Sequence, residues 1–155
     1  MNIQDSYRIV IEAEIRSQKL YKALAKSFRN SDTKAVFHEL VTLEENHEGK
    51  IRAAYNQEFP QQTLVLQEGP DVEMKGIDLH DPKAVLAFAI SREELAQSIY
   101  LSMAKQTSDI AVKTLLLQFA EEEANHKALL LAEIQRLQGA MNWFDPSELN
   151  GLMED

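Results

Sequence analysis

The sequence of 155 residues contains an internal repeat, because its second half aligns with its first half after a shift of 79 positions. Identical residues meet at several of the aligned positions, among them Tyr21 with Tyr100, Ala25 with Ala104, Lys26 with Lys105, Lys34 with Lys113 and Asn46 with Asn125. Apolar residues also correspond, as in Leu40 with Phe119 and Ile51 with Leu130. Each half is predicted to be a helix–turn–helix unit, so the chain is predicted to contain two copies of a helical hairpin.

Capping residues and breaks place four helices at about 5–29, 31–57, 82–107 and 109–138, with Ser31 or Asp32 as the N-cap of the second. The third helix begins at Asp81-Pro82, an N-cap followed by proline at the first helical position. The short joints within each half favour antiparallel neighbours.

The connection between the second and third helices, 58–81, is long for a compact domain. In a four-helix bundle such a connection carries the chain from one end to the other. We therefore predict a single all-α domain with repeat halves at about 5–57 and 82–138 and a crossover between them. The tail, 139–155, has a cap-like Asp145-Pro146-Ser147 and is a candidate for a short fifth helix.

The repeat also aligns three pairs of potential metal ligands. In each half a Glu is followed 30 residues later by Glu-x-x-His, which selects Glu14, Glu44 and His47 together with Glu93, Glu123 and His126. Other acidic residues have no acidic equivalent: Glu12 aligns with Ser91, Glu45 with Ala124, Glu48 with Lys127, Glu121 with Thr42 and Glu122 with Leu43. Only the six repeated residues are therefore candidate ligands, and Glu121 and Glu122 are assigned to a solvated face.

All six candidates fall in apolar seams with steps of three and four residues, which define the buried face of a bundle helix. The seams are Val10-Glu14-Ser17-Tyr21-Leu24-Phe28, Phe37-Leu40-Glu44-His47-Ile51-Ala54, Leu86-Ala89-Glu93-Ala96-Tyr100-Met103 and Leu116-Phe119-Glu123-His126-Leu130. The candidates are thus predicted to point inward at about the same height in the bundle.

Four carboxylates buried together are unfavourable unless their charge is compensated. Two divalent cations balance four negative charges, and two neutral imidazoles add nitrogen ligands. Glu-x-x-His places both side chains on one helix face, about one turn apart. One Glu from each of two helices, with Glu-x-x-His from each of the other two, is the di-iron carboxylate arrangement of helical bundles.

Tyr21 and Tyr100 lie seven residues after Glu14 and Glu93, two turns along the same faces. Core packing and a hydrogen bond to a ligand carboxylate both explain a tyrosine there, and its recurrence in both halves favours the hydrogen bond. His38 and His80 have no repeat partners and are predicted to be surface or structural residues.

The set Glu14-(x)6-Tyr21, Glu44-x-x-His47, Glu93-(x)6-Tyr100 and Glu123-x-x-His126 resembles the rubrerythrin branch of the ferritin-like superfamily over about 5–138. The resemblance implies a ferritin-like four-helix bundle with two iron ions that reduces hydrogen peroxide or dioxygen. Glu14 and Glu93 are then terminal ligands, Glu44 and Glu123 bridge, and His47 and His126 each bind one iron. Manganese or zinc are possible substitutes.

Two features depart from rubrerythrins. Their appended rubredoxin domain carries four cysteines, whereas this chain has none, so a separate rubredoxin-like protein is the expected electron donor. They also carry an additional carboxylate one turn after the third-helix Glu, where this chain has Ala96, and Glu94 lies about 100° away around the helix.

The remaining symmetric set of four Glu and two His resembles a bacterioferritin-type centre. Iron oxidation and storage, as in ferritins and bacterioferritins, is therefore an alternative function. A structural or regulatory bundle that holds manganese or zinc is another.

The composition of the chain limits the kinds of partner that the protein is expected to bind. The net charge of −9, from 16 Lys and Arg against 25 Asp and Glu, argues against binding to nucleic acid or to an anionic membrane. No stretch approaches the ~18–20 apolar residues that span a bilayer, and no targeting segment is visible. We expect a cytoplasmic protein that forms a homodimer or a larger homo-oligomer.

Overall fold

The computed structural model describes residues 2–67, 75–78 and 80–137, and four long helices account for most of them. The helices are α1 (Ile3–Ser27), α2 (Ser31–Glu58), α3 (Pro82–Gln106) and α4 (Ile110–Leu137). α1 packs along α2 and α3 packs along α4, and the two hairpins meet through α1 against α3 and α2 against α4. The predicted all-α bundle of two helical hairpins is confirmed.

The helix starts follow local capping chemistry. Asn2 caps α1, which begins two residues earlier than predicted. Asn30 caps α2, in place of the predicted Ser31 or Asp32, because its side chain accepts hydrogen bonds from two backbone N–H groups of the first turn at 2.8 and 3.2 Å. α3 begins as predicted, with Asp81 as its N-cap. Side-chain oxygens at these positions satisfy N–H groups that the helix itself leaves free.

Every seam residue predicted to face the interior is buried, and none is more than 7% exposed. The apolar side chains form two clusters. The Phe28 cluster contains Leu24, Phe28, Phe37 and Leu86, and the Phe119 cluster contains Val10, Ile51, Met103 and Phe119. The six candidate ligands lie between these clusters along each seam. Within the described part of the chain, no helix is both long and apolar enough to cross a membrane.

The described parts of the crossover contact both ends of the bundle. Leu64 and Leu66 pack against the Phe119 cluster, whereas Ile77 packs against the Phe28 cluster. Glu12, which is buried, accepts a hydrogen bond from the backbone N–H of Gln67 and so ties the crossover to α1. The two described parts of the crossover therefore lie towards opposite ends of the bundle. The candidate fifth helix in 139–155 lies outside the described residues.

Candidate metal centre

The six candidate ligands converge in the middle of the bundle, and none is more than 4% exposed. They form two overlapping groups: Glu14, Glu44, His47 and Glu123 in one, and Glu44, Glu93, Glu123 and His126 in the other. Within each group, one ligand atom from every residue lies within 4.8 Å of the others. Since Glu44 and Glu123 belong to both groups, the geometry offers two adjacent metal positions that share two carboxylates.

The antiparallel packing of α2 and α4 brings the two Glu-x-x-His motifs face to face. Nδ1 of His47 lies 2.9 Å from Oε1 of Glu123, and Nδ1 of His126 lies 3.0 Å from Oε1 of Glu44. Each histidine thus meets the glutamate of the opposite motif, and both rings direct Nδ1 into the cluster.

Several polar atoms of the cluster have no hydrogen-bond partner. Among the described residues, the buried side-chain atoms in this condition are Oε2 of Glu14, both oxygens of Glu44, both ring nitrogens of His47, Oε1 of Glu123 and Nδ1 of His126. The close contacts between histidines and glutamates are not aligned as hydrogen bonds. Each such buried group costs about 1–3 kcal/mol. Carboxylate and imidazole donors suit divalent iron, manganese or zinc, so the residues fit a pair of metal ions.

Burial shifts the pKa values of three residues in the cluster, Glu44, Glu123 and His47, so that their neutral forms are favoured. Burial, together with the charge of Glu93, raises the pKa of Glu44 from 4.5 to about 8. Burial also raises the pKa of Glu123 well above its ordinary value, and it lowers the pKa of His47 from 6.5 to about 4. A metal ion must displace protons from this cluster before its carboxylates can bind.

The pKa values of His126 and Glu93 are shifted so that the charged forms of these residues are favoured. Burial opposes the charge on His126, but the surrounding carboxylates of Glu123, Glu44 and Glu93 raise its pKa to about 12. Burial opposes the charge on Glu93 as well, yet contacts with Glu123, His126 and Tyr21 lower its pKa to about 2. Nδ1 of His126 lies 3.5 Å from Oε2 of Glu93, so the metal-free cluster contains a buried ion pair.

The two tyrosines contact the cluster across the α1–α3 interface. The Tyr21 hydroxyl on α1 donates to Oε1 of Glu93 on α3, and the Tyr100 hydroxyl on α3 donates to Oε1 of Glu14 on α1 at 2.9 Å. Burial raises the pKa of both tyrosines, so the hydroxyls keep their protons and remain donors. Each hydrogen bond occupies one oxygen of a glutamate. The second oxygen of Glu93 lies 3.5 Å from Nδ1 of His126, and the second oxygen of Glu14 is buried without a partner.

We expect Tyr21→Phe combined with Tyr100→Phe to weaken metal binding by about 10- to 100-fold, because each change removes a hydrogen bond that orients a ligand carboxylate. Anaerobic titration of the metal-free protein with Co(II) measures this loss. Tyr55→Phe is the matched control, since Tyr55 is buried in the Phe119 cluster against the rings of Tyr7 and Phe59. Unchanged affinity in the double variant would show that the hydroxyls serve packing alone.

Glu45, Glu94 and Glu121 have no acidic residue at the equivalent position of the other half, and they lie outside the cluster. Glu122, which also lacks one, lies at its edge. Glu45 and Glu121 are exposed, and Glu94 pairs with Lys127 at 3.4 Å on the surface. Glu122, assigned to a solvated face, is only partly exposed, and its Oε2 lies 3.5 Å from Nε2 of His47. The repeat comparison missed this contact because it is made across two helices and the equivalent residue is apolar.

His38 and His80 are both exposed, in agreement with their predicted surface position. Neither belongs to a group of side chains that could hold a metal ion in the described residues.

The fold and the cluster together define a four-helix bundle protein with a buried carboxylate–histidine centre. The family model for rubrerythrin matches residues 8–76 and 84–151, and the chain belongs to this family. A solved structure of a hypothetical protein from Pyrococcus furiosus has a similar fold, with a TM-score of 0.76 and 25% identity over 88% of this chain and 90% of that chain. Comparison with curated proteins finds no match. The resemblance carried by the glutamate, histidine and tyrosine motifs is thus confirmed.

Proposed function

We propose that the cluster holds two iron ions and that the protein reduces hydrogen peroxide or dioxygen there. The observation that carries this proposal is the pair of overlapping ligand groups, which share Glu44 and Glu123 and contain buried polar atoms without partners. Membership of the rubrerythrin family supports iron as the metal. Manganese and zinc suit the same donors and are the alternative metals.

In this proposal Glu14 and Glu93 would each hold one ion, Glu44 and Glu123 would be shared by the two ions, and His47 and His126 would each hold one ion through Nδ1. Two bound irons supply one electron each to the oxidant, and reduction of hydrogen peroxide to two waters also consumes two protons. Tyr21 and Tyr100 hold the terminal carboxylates in place through their hydroxyl groups.

The surroundings of the cluster favour chemistry with a small oxidant. The Phe28 and Phe119 clusters close the bundle interior on both sides along its axis. Between α2 and α4, a pocket of about 200 Å³ reaches His47 and His126 and is also lined by Asn46 and Asn125. We propose that hydrogen peroxide or dioxygen approaches through this pocket, since its volume exceeds the roughly 30 Å³ share of a water molecule several-fold.

The chain has no cysteine with which to hold an iron centre of rubredoxin type. We therefore propose that electrons return to the site from a separate rubredoxin-like protein. Assembly into a homodimer or larger homo-oligomer, and a cytoplasmic location, remain predictions from the sequence.

The proposal is tested by mixing protein that carries two Fe(II) per chain, prepared without oxygen, with small additions of hydrogen peroxide. We expect one peroxide to oxidise two irons, followed by absorbance and by assay of the remaining Fe(II), and faster than free Fe(II) in the same buffer. Failure of both peroxide and dioxygen to oxidise the bound iron would exclude the proposed reaction. Retention of many irons per chain from excess Fe(II) would instead support storage.

A further inference from the structure

On the side that faces the cluster, the rings of His47 and His126 have equivalent neighbours in the two halves of the repeat. On the outer side, which faces away from the cluster, their neighbours differ. At these outer sides, the shift of 79 positions replaces Leu43 by Glu122 and Lys50 by Leu129. All four residues line the pocket between α2 and α4. The outer side of His47 therefore faces a charged pair, whereas the outer side of His126 has two leucines at the equivalent positions.

Glu122 lies between His47 and Lys50. Its Oε2 is 3.5 Å from Nε2 of His47, and its Oε1 is 3.5 Å from Nζ of Lys50. Nε2 of His47 is buried and has no hydrogen-bond partner, while Nδ1 of the same ring faces Glu123 at 2.9 Å. The carboxylate thus stands next to the one ring nitrogen of His47 that does not face the cluster.

His126 has no equivalent neighbour in the described part of the chain. Its contacts with the carboxylates of Glu44, Glu93 and Glu123 all involve Nδ1. No described carboxylate lies within the 4.0 Å ion-pair distance of its Nε2. The two histidines therefore differ in whether a carboxylate adjoins the outer nitrogen.

We propose that Glu122 is a positioning residue that accepts the Nε2 proton of His47 and makes the two metal positions unequal. This inference rests on the proposed metal site. A neutral imidazole carries one N–H, and a carboxylate beside Nε2 keeps the proton there and leaves the lone pair of Nδ1 for the metal. Lys50 holds the other oxygen of Glu122, which directs Oε2 to the ring. The ion bound by His47 is then held more tightly than the ion bound by His126.

Loss of such a hydrogen-bond partner lowers metal affinity by about 10- to 100-fold, and the partial exposure of Glu122 places its effect near the lower figure. The test is an anaerobic titration of the metal-free protein with Co(II), followed by its visible absorption. For the wild type we expect two binding steps that differ about tenfold. Glu122→Leu, which copies Leu43, is expected to weaken the tighter step alone, so that the two steps merge.

Two further variants separate positioning from a structural role. Glu122→Gln keeps an oxygen that can accept the Nε2 proton, so it is expected to retain part of the difference between the steps. Leu43→Glu places a carboxylate beside His126 and is expected to tighten the weaker step. Glu121→Gln is the matched control, because Glu121 is exposed and adjacent in sequence.

The inference is overturned if Glu122→Leu leaves both steps unchanged. It is also overturned if this variant weakens both steps equally and lowers the unfolding free energy of the metal-free protein, since that pattern belongs to a structural residue. Absence of Co(II) binding by the wild type would instead contradict the proposed metal site itself.

Discussion

Replacing both shared carboxylates by amides, Glu44→Gln with Glu123→Gln, is expected to abolish retention of metal and to stabilise the metal-free protein. Only two ligands then remain for each ion: Glu14 with His47, and Glu93 with His126. In the wild type, burial raises the pKa of Glu44 and Glu123, so both carboxylates are destabilising in their charged form. Neutral amides of the same shape remove this penalty, and we expect a gain of about 1–3 kcal/mol at pH 8.

The measurements are metal per chain after desalting and urea unfolding of the metal-free variant. Glu45→Gln with Glu121→Gln is the matched control, because it removes the same two charges from exposed positions of the same helices. We expect the control to keep both metals. If the Glu44 and Glu123 variant retained two ions per chain, or if its metal-free form were less stable than the wild type, the assignment of these carboxylates would be wrong.

Metal loading is expected to stabilise the protein strongly. An ion that binds the folded state alone adds about 4 kcal/mol per site when its free concentration is 1,000 times the dissociation constant. With two sites the effect approaches twice that value, which is comparable with the whole stability of many domains. Urea unfolding with and without Fe(II), under anaerobic conditions, measures the difference. Equal stability in the two states would contradict binding at the buried cluster.

The metal-free protein is expected to lose stability as pH rises from about 6.5 to 8. The pKa of Glu44 is raised from 4.5 to about 8, so its contribution is full below 4.5 and is lost as pH rises through 8. The pKa of His126 is raised from 6.5 to about 12, so its contribution to stability is likewise full below pH 6.5 and is lost as pH rises towards 12. The pKa of His47 is lowered to about 4, and its opposite contribution, gained as pH rises, is complete above 6.5.

Each proton bound more tightly by the folded state changes the unfolding free energy by about 1.4 kcal/mol per pH unit, and Glu44 and His126 each hold one such proton, so we expect a loss of about 4 kcal/mol over this range. In the metal-loaded protein these protons are already displaced, and the decline is absent. Unfolding curves at pH 6.5 and pH 8 test both statements. A rise in metal-free stability over this interval would contradict the protonation pattern of the cluster.

The repeat and the apolar seams were sufficient to predict which side chains meet in the interior. Burial of a seam follows from its period of three and four residues, and the repeat separated Glu44 from its neighbour Glu45. Helix starts were less certain, because Asn30, Ser31 and Asp32 are consecutive residues that all suit an N-cap. Asn30 takes this position since its side chain reaches two free N–H groups of the first turn.

Contacts between helices could not be derived from spacing along one helix. Tyr21 lies two turns from Glu14 on α1, but its hydroxyl donates to Glu93 on α3 because the antiparallel helices bring these residues opposite one another. The repeat comparison assigns Glu122 to a solvated face because it aligns with Leu43, yet Glu122 lies beside His47. A repeat reveals what the two halves share, whereas differences between them require the packed structure.

Binding of two metal ions by the buried cluster is tested by the amount of iron per chain after anaerobic loading with Fe(II), brief exposure to air and desalting. The arrangement of two ligand groups with shared Glu44 and Glu123 predicts a value near two. A value near zero would contradict a metal site, and a value far above two would contradict a discrete pair of ions.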